Sequence, residues 1–172
     1  IFNAVLPQRI TEVQTVSVKC MEIPLSFNNF SKNIGNTYFS YQYNNGSIHI
    51  VSILDQFITT PSGLVSAVNT ALVSIDRSLN MTLSGNNVIF SNHHTTGNVV
   101  IRFDIDINGN IDRHNFKNKL GWYLGYRNTH YTVLPNTNLT SESYININAI
   151  RYLYLALQEN PNQGNPNSFI AP

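Results

Sequence analysis

Charge is scarce in this sequence. Asp, Glu, Lys and Arg make up 11% of its 172 residues, against about 25% in a typical soluble domain. The formal net charge is +1 with no basic run, so the electrostatic footprint of a nucleic-acid-binding protein is missing. A single cysteine, Cys20, excludes an internal disulfide and fits a reducing compartment. No apolar run reaches the length of a membrane span and no signal peptide is present, so membrane insertion is not expected. Also absent are a Ser nucleophile elbow, a Gly-rich phosphate loop and a paired-carboxylate signature. No catalytic residue and no cofactor are therefore expected. A carboxylate pair assembled through space stays open, because such partners need not be close in sequence. The chain begins at Ile1 without a methionine, and a piece of a longer polypeptide is expected.

Asparagine occupies the positions that charge leaves vacant, 26 of them. A surface low in charge and rich in Asn and Tyr suits burial by neighbours, or copies that need not repel one another. An AT-rich genome yields the same bias and is the plainer explanation. Four N-x-S/T sequons, at Asn29, Asn45, Asn80 and Asn138, are what this much Asn, Ser and Thr produces by chance, so they carry no secretion signal.

Residues 1–10 read as a lead-in, residues 11–158 as one domain with a sizeable core, and 159–172 as an Asn/Pro-rich tail or arm. Val16, Val18 and Cys20 alternate with polar residues as in a half-buried strand, with a bend expected before Pro24. Leu25–Asn36 reads as loop. Thr37–Tyr43 and Ser47–Ile53 read as strands joined by a turn at Asn44-Asn45-Gly46. The clearest helix spans about 61–79: Thr60 caps it, Pro61 is its first residue, and Leu64, Val68, Leu72, Ile75 and Leu79 form its apolar stripe. Met81–Leu83 and Asn87–Phe90 make a second hairpin. Asn98–Ile107 is the best strand, with Val99, Ile101, Phe103, Ile105 and Ile107 on one face and Arg102, Asp104, Asp106 and Asn108 on the other. Tyr131–Leu134 is a further strand, followed by a polar loop and a strand-like run from Tyr144 to Leu157. With no βαβ rhythm and no repeat, the fold class is mainly β, a jelly-roll-like β-sandwich with one helix at about 61–79 and a short one at about 115–125.

That short helix lies in the stretch Asn115–Arg127, which holds the only tryptophan, Trp122. Helical spacing puts Phe116, Leu120 and Leu124 on one face, with Gly121 and Gly125 as a small-residue stripe beside them; a strand would instead align Leu120, Trp122, Leu124 and Tyr126 with the glycines opposite, and the short helix is the favoured reading. Lys117 and Lys119 then point away, Asp112 or Asn115 is a possible N-cap, and Gly125 serves as the residue after the C-cap. Asp104, Asp106, Asn108 and Asp112 match several positions of a calcium loop, with Gly109 at the sixth. The twelfth position, however, is Asn115 and the preceding stretch reads as a strand. A strand turning at Asn108-Gly109 is the better reading, and the metal site only a weak candidate. His93-His94 reads as solvated loop, since adjacent histidines point apart on an extended chain and nothing is spaced to complete a metal set. His49, His114 and His130 are isolated. The nine tyrosines fit core and cross-strand packing better than a sugar-binding surface.

Four segments together resemble one known family: V-x-S-V-K-C-M-E-I-P-L-S-F-N-N-F-S with G-N-T-Y-F after it; S-I-L-D-Q-F-I-T-T-P-S-G-L-V-S-A-V-N-T-A-L; K-L-G-W-Y-L-G-Y-R; and R-Y-L-Y-L-A-L-Q-E. Their order is similar to virion proteins of the nucleocytoplasmic large DNA viruses, of the minor-capsid or penton type. The family-like signature comprises Leu120, Gly121, Trp122, Leu124, Gly125 and Arg127. The resemblance departs at Thr60-Pro61-Ser62-Gly63, which lacks a D-G turn, and at the final L-Q-E, which is not an acidic run. It implies a jelly-roll structural domain, no catalysis, homo-oligomers or other capsid proteins as partners, and a place in the virion after assembly in the host cytoplasm. The rival expectation, from another class, is a carbohydrate- or receptor-binding jelly roll of a fibre or spike that uses exposed tyrosines.

Overall fold

The structure is a computed structural model and describes Glu12, residues 28–148 and two short strands at 156–158 and 168–170. The lead-in 1–10, the expected strand at Val16–Cys20 and most of the run toward Leu157 lie outside the described residues. Two antiparallel sheets enclose one core. The first has strand order β2-β1-β5-β6, from Ile48–Ser52 (β2), Tyr38–Tyr43 (β1), Val99–Arg102 (β5) and His130–Val133 (β6). The second has order β3-β4-β7, from Leu79–Ser84 (β3), Asn87–Asn92 (β4) and Thr137–Thr140 (β7). A helix, α1 (Pro61–Val73), packs against β2 and β3. Ala156–Gln158 (β8) and Ser168–Ile170 (β9) pair with each other. The chain is thus mainly β and sandwich-like, as its patterning predicts.

The core draws on every layer. Phe39 and Tyr41 from β1, Val51 from β2, Met81 from β3, Phe90 from β4, Ile101 from β5 and Leu64, Val68 and Leu72 from α1 form one buried cluster. Period-2 alternation delivers the strand residues and i, i+4 spacing the helical ones. The first hairpin turns where Asn44 and Asn45 take φ of 46° and 58°, a left-handed conformation that Asn tolerates better than most residues.

Four expectations are corrected. The α1 stripe ends early, because the N–H groups of Ile75 and Asp76 both return to the Leu72 carbonyl and Asp76 Oδ1 accepts from Ser78 N. Ile75 is swung into solvent and Leu79 begins β3. The strand at 98–107 stops at Arg102; beyond it Phe103 N bonds Thr129 O and Ile105 bridges Ile111. Asp104, expected to face outward, is fully buried, and Ile107 is exposed. The polar loop after Leu134 contains β7, whose sequence Thr-Asn-Leu-Thr has no alternation to announce it; pairing with the free edge of β4 makes it a strand. Residues 144–148 form no strand.

Asparagine amides stand in for missing strand neighbours. Asn69 on α1 donates to Met81 O at 2.8 Å and accepts from Met81 N at 2.7 Å, closing the edge of β3 at that residue. Asn29 does the same with both backbone groups of Ile58. Asn36 links Ser31 N to Asn29 O, and Asn92 holds the carbonyls of Gly97, Val133 and Leu134.

The central stretch is a 3-10 turn at Phe116–Asn118 and a single helical turn, α2 (Leu120–Tyr123), separated by Lys119 in extended conformation. Asn115 precedes the turn at a φ of 54° and makes no side-chain cap. Gly121 lies directly against the Phe103 ring, where a Cβ would collide with it. Gly125 has a φ of 96° and is pressed on the Ser143 carbonyl. Gly121→Ala should therefore lower the unfolding free energy by about 1–3 kcal/mol through overpacking, measured by urea denaturation. Gly85→Ala has open space around it but a φ of 60°, so it should lose about 1 kcal/mol from backbone strain alone; a Gly121→Ala loss well below that would show that the Phe103 contact is not what selects glycine at 121.

Candidate functional site

The weak metal candidate does not assemble. Asp104 is held by Arg102 Nε at 3.2 Å and faces Arg113 Nε at 3.7 Å. Asp106 turns back on its own loop, and the Asn110 side chain and backbone N–H, with Asn108 N, hold its carboxyl below the usual range. Asn108 lies exposed in the turn. Asp112 is bound by the Lys119 ammonium, which lowers its carboxyl most, with His114 N adding to it. Each carboxylate thus has a protein donor of its own, and they do not converge. Among the described residues no group of three or more His, Cys, Asp or Glu is placed to hold a metal.

Lys119, expected to point away, is buried instead. Its Nζ lies 2.5 Å from Asp112 Oδ2 and 2.9 Å from the Ile105 carbonyl, and 5.8 Å from the Tyr38 ring centroid. A buried ammonium needs such partners, because leaving water unpaired costs several kcal/mol. Reaching them is what pulls Lys119 out of helical geometry. The pair forms one wall of a polar hollow of about 240 Å³ beside Lys32, Tyr38 and His114. A shallower groove of about 660 Å³ runs between α1 and β3, past Ser66, Asn69, Val73 and Leu83.

The signature residues are a packing unit. Leu120, Leu124 and Gly121 are buried, and Tyr126 is fully enclosed with its ring stacked on Phe103 at 5.1 Å. Trp122 is half-buried between the Phe116 ring and the Arg127 guanidinium, which sits 4.0 Å from its centroid. Arg127 Nη1 also donates to the carbonyls of Trp122 and Tyr126, so its charge closes the end of α2.

Two clusters carry no sequence signal, because their members are distant in the chain. Glu142 accepts from the Tyr131 hydroxyl at 2.6 Å and from Arg127 N and Asn128 Nδ2. Partial burial alone would raise its carboxyl, but the Tyr131 hydroxyl and these N–H donors outweigh it and hold the group below its ordinary value. His94 Nε2 lies 2.9 Å from Asp76 Oδ2, with the Tyr43 ring 4.4 Å from the imidazole. Burial first, and Asp76 second, push the Tyr41 hydroxyl up to about 12. The Asp76–His94 pair fastens the α1–β3 turn to the loop after β4. His93 contacts Asn80 and His49 stacks on Tyr41.

Of the tyrosines, Tyr38, Tyr41, Tyr123 and Tyr126 are buried and Tyr144 is strongly exposed, while Tyr152 and Tyr154 lie outside the described residues. Comparison of the chain with protein-family models, curated proteins and solved structures finds no match in any of the three.

The acidic clamps predict an acid-side loss of stability. Asp112 and Glu142 sit below their ordinary values of 3.8 and 4.5, so their contribution is complete above those values and is lost as pH falls through the lowered ones. Thermal unfolding between neutral pH and pH about 3 should show a falling midpoint below the ordinary carboxylate range. Glu142→Gln should flatten that fall. An unchanged slope would remove Glu142 from the account.

Proposed function

We infer that this chain is a structural virion protein, a minor-capsid or penton-type component that assembles with itself and with other capsid proteins. The observation that carries the reading is the outer surface of the sandwich. Leu54, Ile48, Ile111, Leu134 and Phe57 stand exposed on a body with very few charges. Large exposed apolar side chains that neighbours would cover are what an assembling subunit needs. The resemblance of K-L-G-W-Y-L-G-Y-R and R-Y-L-Y-L to the giant-virus proteins supplies the class, and the β-sandwich agrees with it. The buried positions of most described tyrosines favour assembly over a tyrosine-lined glycan surface.

Sedimentation velocity and negative-stain imaging of the full chain, with and without 159–172, test this reading. Closed higher oligomers that weaken on truncation, with the domain still folded, are the expected result. A folded chain forming no closed oligomer, alone or with the capsid proteins encoded beside it, would contradict the reading.

A further inference from the structure

Edges of β-sheets expose rows of unpaired N–H and C=O groups, and proteins generally cover them or guard them with charge, proline or a bulge. On the edge of β3, Asn69 takes both backbone groups of Met81. Among the described residues, nothing guards the edge of β2. Because Ile53 N bonds Thr37 O, residues 51 and 49 direct their backbone groups at β1, and Ile48, Ile50 and Ser52 direct theirs outward. No described residue meets those outward groups. The strand reads Ile-His-Ile-Val-Ser, with neither Lys, Glu nor Pro. Exposed apolar side chains lie on and beside it: Ile48 at 58% and Leu54 at 79%, with Ile107 at 50% and Ile111 at 58% on the loop whose Gly109 touches Ile50.

We propose that this edge pairs antiparallel with the same edge of a second copy about a two-fold axis centred on Ile50. A second copy fits this edge because its three outward residues are self-complementary about Ile50. In that register Ile50 exchanges both hydrogen bonds with the partner copy's equivalent residue, and position 48 exchanges both with position 52. Every outward group on both edges is then used, none is left over, and the four-stranded sheets join into one. β2 itself carries no Asp, Glu, Lys or Arg, and a net charge of +1 leaves little repulsion between copies. Ile48 gains cover in the same step. This interface rests on strand geometry and stands apart from the virion reading.

The register makes the test specific. Ile48→Lys combined with Ser52→Lys places like charges directly opposite one another across the axis, whereas Ile48→Lys combined with Ser52→Glu places opposite charges there. Sedimentation equilibrium of the full chain over a micromolar to near-millimolar series should show a dimer for the unaltered chain. The first variant should weaken it by about tenfold or more, and the second should restore it. Matching far-UV spectra and unfolding midpoints would establish that both variants fold. A monomeric unaltered chain overturns the interface, as does a dimer insensitive to the first variant or not restored by the second. Higher assemblies that persist unchanged in the first variant would also overturn it, while leaving the virion reading standing.

Discussion

Buried backbone groups must find hydrogen-bond partners, and in this sandwich short side-chain amides supply them wherever strands run out. The described strands are four to six residues long in both sheets, so much of the main chain near the core lies outside any ladder. Asn29, Asn36, Asn69, Asn87 and Asn92 bind backbone groups at those places. An amide carries a donor and an acceptor in the geometry of a peptide group, which makes it a neutral surrogate for a neighbouring strand. A carboxylate or ammonium at the same positions would offer only one of the two and would bring a desolvation penalty. These contacts explain what several of the asparagines do.

The second constraint is the crowding around Phe103. Its ring meets Phe39, Tyr126 and Tyr131 and lies flat against Gly121. That contact ties the stretch holding the lone tryptophan to the first sheet. From there the chain is drawn in by the buried Lys119 on one side and closed by the Arg127–Trp122 stack on the other. The charged residues near this element are each committed to a partner, so what looks chemically active in the sequence is used to hold the backbone. Among the described residues, several large apolar side chains, Leu54, Ile48 and Ile111 among them, remain exposed to solvent.

Several site residues were legible only as types. Asp104, Asp106, Asn108 and Asp112 have calcium-like spacing, yet spacing does not reveal that Arg102, Arg113 and Lys119 claim the carboxylates. Lys119 follows a helical pattern that places it in solvent, and the nearby Ile105 carbonyl reverses that outcome. The Glu142–Tyr131 and Asp76–His94 pairs join residues 11 and 18 positions apart, beyond any local periodicity.

Local chemistry alone determined the first two hairpins, the start of α1 at Thr60-Pro61, the buried face of β5 and the mainly β class. Each depends on backbone preference or on a period of two or near four residues, which neighbouring residues set. Tertiary structure alone decided where α1 ends, that Thr137–Thr140 becomes a strand, and that Asp104 and Lys119 are buried. Those outcomes depend on which groups from distant parts of the chain arrive to satisfy a hydrogen bond or a charge, and that is known only once the chain is folded.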